Sequence, residues 1–197
     1  MRRLSLSLLA TMALSACAGE EPPRALPEAS SVALDGVGEG PVSGEIDGQP
    51  FAAADVRFRI TRFPGRERVD LWIADRHIER CGLPLAREGT RVWARWSGRT
   101  SLEPGLFSRL SDEEEDAIEL HYERAEGRAI HAAHRAVGHV ELTEVTAAHV
   151  VGRLRACFAD AEGSCVGGTF EATPCLSRID GRAIREPPGL IDEALSP

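Results

Sequence analysis

The sequence predicts an all-β protein: an antiparallel β-sandwich or barrel of about eight strands, disulfide-linked, with a flexible N-terminal tether. Short segments in which apolar and polar residues alternate recur through residues 41–176, and this alternation is typical of half-buried strands. Turn-forming pairs, Asp47-Gly48 and Pro64-Gly65, separate some of them. Four of the five cysteines also fall within this region. Many short strands between turns favour a sandwich or a barrel.

The first 16 residues have the order of a secretory signal peptide. Met1-Arg2-Arg3 is basic, an apolar stretch follows, and the small residues Leu14-Ser15-Ala16 lead to Cys17. The run ending at Cys17 resembles the lipobox of bacterial lipoproteins. That resemblance implies cleavage before Cys17, acylation of Cys17 with fatty acids such as palmitate, and attachment to a membrane through the lipid. An ordinary secretory cleavage site beside a cysteine is the alternative.

Residues 17–40 are expected to be the lipidated cysteine and a disordered linker. They are rich in Pro, Gly, Ala and Glu and have no apolar period. Ala18 directly follows Cys17. In lipoproteins of two-membrane bacteria an Asp there typically retains the protein at the inner membrane. Ala18 therefore implies the outer membrane, on either its periplasmic face or the cell surface.

The β domain is predicted to span residues 41–176. Its period-two segments are residues 42–46, 56–60, 69–74, 92–96, 118–122, 140–142, 150–158 and 166–172. A long connection, 97–116, ends in five acidic residues, and Ser111 with Glu114 could instead cap a helix that ends at Gly127. The alternation from Ile118 onwards favours a strand. Residues 177–197 lose the period and are expected to be a loosely packed tail.

Several motifs of the β domain resemble those of uncharacterised β-rich bacterial lipoproteins. They are the opening hairpin Ser43-Gly44-Glu45-Ile46-Asp47-Gly48-Gln49-Pro50-Phe51, Gly152, and Gly168-Thr169-Phe170 followed by Cys175. The resemblance implies the fold and the envelope location. It provides no catalytic residues.

The strand spacing predicts how the four cysteines pair. If residues 149–158 and 165–174 form one hairpin, Cys157 faces Cys165 beside the connecting loop. Cys175 then lies ten residues beyond Cys165, about 33 Å along an extended strand, too far for a disulfide with either. The predicted pairs are therefore Cys157–Cys165 and Cys81–Cys175, as expected of an exported protein.

Charge and motifs exclude several functions. Without Arg2 and Arg3, the chain has 21 of its 23 basic residues and all 31 acidic residues, so its net charge is −10. Such a surface repels phosphate backbones, so nucleic acid is not expected as a partner. The sequence has no serine-hydrolase elbow, phosphate loop, dinucleotide fingerprint or zinc-protease motif. We therefore expect neither an enzyme nor a bound cofactor.

Three groups of residues could nevertheless form a site. If residues 125–127 are a three-residue hairpin loop, His121 lies opposite His131, close enough to share a transition metal; two solvated histidines are the alternative. The acidic run 112–116 could hold Ca²⁺ but lacks the spacing of a calcium loop. Trp72 and Trp93, with Arg91 and Arg95, could form an exposed binding patch, unless the loop 97–116 covers both tryptophans.

These observations predict an envelope-anchored lipoprotein whose β domain is non-catalytic and has a structural or binding role. An envelope protein or a glycan is the expected kind of partner. A metal-assisted envelope enzyme and a lipocalin-like carrier of a small apolar ligand are the alternatives.

Overall fold

The computed structural model describes residues 33–64, 66–79, 81, 88–99, 103–109, 118–133, 136–146, 148–160, 162–179 and 182–185. Cys17 and Ala18, the acidic run 112–116 and most of the C-terminal tail lie outside these residues. Within these residues there are thirteen strands: β1 (Ser43–Ile46), β2 (Gln49–Ala52), β3 (Asp55–Phe63), β4 (Arg66–Ala74), β5 (Glu88–Arg99), β6 (Gly105–Arg109), β7 (Glu119–Glu126), β8 (Ala129–Ala133), β9 (Ala136–Val145), β10 (Val150–Phe158), β11 (Cys165–Pro174), β12 (Leu176–Ile179) and β13 (Arg182–Arg185).

Eleven strands form one sheet that curls into a half-barrel. The order is β6-β9-β10-β11-β3-β4-β5-β7-β8, with β1 paired to β11 and β2 to β1. The all-β class is confirmed. A sandwich is not confirmed, and the predicted count of about eight strands is too low. The sheet is also not purely antiparallel, because β11 and β3 run parallel at Thr173↔Arg57 and Pro174↔Phe58.

The concave side of the sheet holds one continuous apolar core. Alternate residues of each long strand point there, as period-two segments predict; in β4 these are Val69, Leu71 and Ile73, all buried. Aromatic pairs fill the interior: Trp96 stacks on Phe107 at 5.3 Å between ring centroids. Burial of this apolar surface is the main force that closes the sheet on itself.

Glycines on the core side allow the strands to bend and approach closely. Gly152 lies opposite Phe170 in the β10–β11 pair, where β10 also has a bulge against β9. A Cβ atom at position 152 would overlap the carbonyl oxygen of Glu141 and the ring of Phe170. Gly44, which is opposite Phe51 in the β1–β2 pair, also allows a close approach, because a Cβ atom there would overlap the carbonyl oxygen of Cys165. An aromatic ring that covers a strand glycine is a known way to stabilise a bent sheet.

Several short strands, β2, β6, β8, β12 and β13, lie outside the predicted period-two segments. The segment 97–116, expected as a loop, contains the end of β5 and all of β6. β7 confirms the strand that the alternation from Ile118 onwards favours, and the alternative helix does not extend over these residues. Residues 111–117 lie outside the described part of the chain. Asp47 and Gly48, both with positive φ, form the predicted turn between β1 and β2.

Both segments that flank the β domain contain some regular structure. Within the predicted linker, Leu34–Gly36 form a 3-10 helix, and the carbonyl of Gly40 accepts a hydrogen bond from the amide of Thr169 at 2.8 Å. Within the predicted tail, β12 and β13 pair antiparallel. The linker is therefore attached to β11 before the first strand begins.

Candidate binding surface

The outer side of β3, β4, β5 and β7 carries two rows of polar and aromatic side chains. One row runs Arg57–Trp72–Trp93–His121 across the four strands, and the next runs Arg59–Asp70–Arg95–Glu119. Cross-strand neighbours in a row lie about 5 Å apart, so their side chains interact directly. We call Arg59, Arg68, Asp70, Trp72, Trp93 and Arg95 the arginine–tryptophan face.

Asp70 organises this face. Its carboxylate is fully buried, and it accepts a hydrogen bond from Arg95 Nε at 2.6 Å. It also accepts one from Arg59 Nη2 at 3.3 Å, and Arg68 Nε lies 3.6 Å from the same oxygen. Three cations therefore surround one buried anion. A buried carboxylate is stable only with such partners.

The tryptophan rings lie beneath the guanidinium groups. Trp72 and Trp93 stack with their centroids 6.4 Å apart. The guanidinium carbon of Arg95 lies 4.0 Å from the centroid of Trp93, and that of Arg59 lies 5.2 Å from the centroid of Trp72. These distances are those of cation–π contacts. The arginines are thus held by an anion on one side and by aromatic faces on the other.

The predicted patch of Trp72, Trp93, Arg91 and Arg95 is only partly correct. Trp72 is 1% exposed and Arg91 is 5% exposed, so neither can meet a partner at the surface. Arg91 lies one row away and pairs with Glu123 at 2.6 Å. Trp93 and Arg95 remain partly exposed. The guanidinium groups of Arg59 and Arg95 cover the rings of Trp72 and Trp93. This explains why tryptophans on the polar side of a strand are shielded from solvent.

Sequence reasoning missed Arg59, Arg68 and Asp70. A signal was present for Asp70: it interrupts Val69-Asp70-Leu71-Trp72-Ile73, where a buried strand is otherwise apolar. A charged residue that is buried needs a partner. The partners of Asp70 come from three different strands. They can be identified only when the register of the sheet is known.

The predicted His121–His131 pair is wrong. The β7–β8 turn has two residues, Gly127 and Arg128, instead of three, so His131 lies opposite Arg124. An odd shift in register moves a side chain to the other side of the sheet. His121 packs edge-on against Trp93 at 4.1 Å, whereas His131 Nδ1 lies 3.5 Å from Asp47 Oδ2. Within the described ranges no group of three or more metal-ligating side chains occurs.

The structure brings together the two cysteine pairs that the strand spacing predicts. The Cα atoms of Cys81 and Cys175 are 6.0 Å apart, and those of Cys157 and Cys165 are 4.1 Å apart. Cys157 and Cys165 are direct cross-strand neighbours, as the hairpin of β10 and β11 requires. The amide of Cys175 donates to the carbonyl of Phe58 at 2.8 Å, beside the parallel β11–β3 contact.

A second polar cluster fixes the loop between β10 and β11. Asp160 accepts hydrogen bonds from Tyr122 Oη at 2.8 Å, from the Ser164 amide at 2.9 Å and from the Ser164 hydroxyl. Ser164 Oγ in turn accepts from the amide of Asp47 at 2.7 Å. Ser164 is 3% exposed. The cluster joins the loop to β7 and to the first hairpin, which is a structural role.

The same contacts shift two pKa values. Burial, and then the hydrogen bond to Asp160 with its negative charge, raise the pKa of Tyr122 well above its usual range. Burial alone would raise the pKa of Asp160, but the hydrogen bonds from Ser164 and Tyr122 outweigh burial and lower it. At neutral pH the cluster is therefore a protonated phenol bound to a carboxylate.

No family model matches the chain, and neither the curated proteins nor the solved structures contain a match to it. Within the described residues, the structure has no helix of the length and apolarity needed to cross a membrane.

Proposed function

We propose that this chain is an exported, lipid-anchored envelope protein whose β domain binds an anionic group of its ligand without catalysing a reaction. The arginine–tryptophan face is the binding surface. The observation that carries the proposal is the excess of guanidinium groups around Asp70. This excess lies on a chain whose net charge is −8.

The donors on this face outnumber the acceptors. A guanidinium has five N–H donors and a carboxylate accepts about four hydrogen bonds, so Asp70 cannot pair with most donors of Arg59, Arg68 and Arg95. Nε of Arg59 and of Arg68 is buried, so a ligand would bind the terminal nitrogens of these side chains. Within the described residues, the only other acid in these ion pairs is Glu119, 3.7 Å from Arg95 and 58% exposed. Arginine forks bind carboxylate and phosphate groups in a bidentate way.

Asp70 and the tryptophans support binding by holding the arginines in place. The side chains of Arg59, Arg68 and Arg95 are between 26% and 32% exposed, so each presents part of its guanidinium to the outside. A pre-ordered side chain loses less conformational entropy when the ligand binds. Because Arg95 covers Trp93, the ligand meets a charged group there and not an aromatic ring.

A non-catalytic role agrees with the other clusters. Ser164 is buried, and its hydroxyl contacts Asp160 and the amide of Asp47, with no histidine among its described partners. The metal-assisted alternative loses its basis with the His121–His131 register. The apolar carrier is less supported because aromatic side chains, such as Trp96 and Phe107, occupy the interior.

The anchor part of the proposal depends on Cys17. Cysteine pairs at disulfide distance suit an oxidising compartment, and Ala18 favours the outer membrane. Cys17→Ser should release the protein from membranes into the soluble fraction. Retention of the mutant on membranes after a salt wash would rule out the lipid as the anchor.

The binding surface is tested by titrating the full chain with dextran sulfate, a polyanion, and with neutral dextran of the same length. We expect dextran sulfate to bind in a salt-dependent way, and neutral dextran not to bind. Arg68→Gln should weaken binding about tenfold, since a charged hydrogen bond is worth about 1.5–3 kcal/mol. Arg153→Gln is the control, because Arg153 on β10 pairs with Glu141 on β9, away from this face. An equal loss in both variants would refute the proposed surface.

A further inference from the structure

Among the described strands, β8 forms an end of the sheet. It pairs with β7 on one side, and no other described strand pairs with it. Ala129, Ile130, His131 and Ala132 are all exposed, with Ile130 at 62%. The strand contains no Asp, Glu, Lys, Arg or Pro. Proteins usually block an exposed edge with such residues, because its free backbone groups otherwise pair with another strand.

The turn geometry determines which backbone groups of β8 are free. The β7–β8 turn has two residues, and Gly127 has φ 60°. In a two-residue hairpin the flanking pair, here Glu126 and Ala129, is hydrogen-bonded, and hydrogen-bonded pairs then alternate along the strands. The amides and carbonyls of Ile130 and Ala132 therefore point away from β7.

We propose that a second copy of this chain pairs with β8 through its own β8, antiparallel about a two-fold axis at His131. In this register Ile130 faces Ala132 of the second copy, and both residues have their free backbone groups directed at each other. Four backbone hydrogen bonds form. The two His131 residues face each other as a pair without hydrogen bonds. The large side chain of Ile130 meets the small one of Ala132, so the strand is complementary to itself.

Charge and symmetry favour a second copy as the occupant. Around β8, Arg124 and Arg128 offset Glu126 and Asp47, so the edge is close to neutral on an otherwise acidic chain. A contact about a two-fold axis closes after two copies. Pairing of β8 with β6, the opposite end of the sheet, would instead continue from copy to copy and give filaments.

The contact is small, so we expect the dimer to be weak in dilute solution. Two five-residue strands bury less than the 1,200–2,000 Å² that is typical of stable interfaces. Attachment of both copies to one membrane would raise their effective concentration and compensate for the small area. This consequence alone depends on the proposed lipid anchor; the pairing itself does not.

Cysteine cross-linking of the full chain tests the register. His131→Cys places two cysteines in a cross-strand pair without hydrogen bonds, within the Cα range of a disulfide. We expect a cross-linked dimer on a non-reducing gel after mild oxidation. Ala129→Cys is the control: its own counterpart lies four residues away along the strand, about 13 Å, so it should remain monomeric. No dimer from His131→Cys, or an equal yield from the control, would overturn the proposal.

Proline at position 132 tests the hydrogen-bond pattern. The amide of Ala132 faces away from β7, so Ala132→Pro should leave the fold intact and abolish the cross-link of the His131→Cys chain. A cross-link that survives, or a ladder of higher oligomers, would refute symmetric pairing. If His131→Cys fails to fold, a mixture of Ile130→Cys and Ala132→Cys chains tests the same register, because these positions face each other. A failure of this mixture to form the heterodimer would also refute the pairing.

Discussion

Asp70→Asn should be one of the most destabilising single changes on the outer side of the sheet. The substitution keeps the shape of the side chain and removes the charge that three arginines share. Breaking a buried ion pair by removing one partner typically costs about 3–5 kcal/mol. Since Arg59, Arg68 and Arg95 are between 26% and 32% exposed, water can solvate part of their charge, so we expect the lower end, about 3 kcal/mol.

Glu119→Gln is the matched control, because Glu119 also pairs with Arg95 but is 58% exposed. A surface ion pair contributes at most about 1 kcal/mol. The measurement is the urea midpoint of the oxidised chain. With a slope near 2 kcal/mol/M, the Asp70→Asn midpoint should fall by about 1.5 M and that of Glu119→Gln by less than about 0.5 M.

Two outcomes would refute this reasoning. If Asp70→Asn costs no more than Glu119→Gln, Asp70 does not hold the arginines in place. If Asp70→Asn is destabilising but the additional change Arg95→Gln adds its full separate cost, the two residues are not coupled. We expect the second change to cost little once Asp70 is gone, because Arg95 has then already lost its main partner.

Three further predictions follow from other parts of the fold. Gly152→Ala should cost about 2–3 kcal/mol through overpacking, whereas Gly105→Ala, with free space around it, should cost little in the same urea titration. Because the pKa of Tyr122 is raised in the folded state, the stability that its hydrogen bond to Asp160 contributes is complete below the unfolded-state pKa of about 10 and is lost as the pH rises further. Tyr122→Phe should therefore remove this loss of stability at alkaline pH. Cys81→Ala should cost roughly 2 kcal/mol more than Cys157→Ala, because the closed segments span 94 and 8 residues; peptide mapping under non-reducing conditions checks the pairing, and equal costs would contradict the entropic argument.

The long strands could be predicted because burial on one side produces alternation in the sequence. Val69, Leu71 and Ile73 show it clearly, and β4 lies there. β8 could not be found in this way, because its described side chains are exposed on both sides and give no period. β8 is therefore missing from the predicted count of strands.

The candidate site could be predicted only in outline. Trp93 and Arg95 were identified from their position on the polar side of a strand. The burial of Trp72 depends on Arg59, which joins it only through the register of β3 and β4. The His121–His131 error has a similar origin: a Gly at position 127 suits both a two-residue and a three-residue turn, and the choice changes which residues face each other.

The narrow contact between β11 and β3 affects the order in which the protein folds. On one side of it, β3, β4, β5, β7 and β8 pair mainly with strands close in sequence, and β9, β10 and β11 do the same on the other side. Two residue pairs join these halves, and Cys81–Cys175 spans 94 residues beside them. Contacts of such long range form slowly, because the intervening chain must first be ordered. Each half can therefore form early, and the Cys81–Cys175 link, which an oxidising compartment favours, stabilises their union by constraining the unfolded chain.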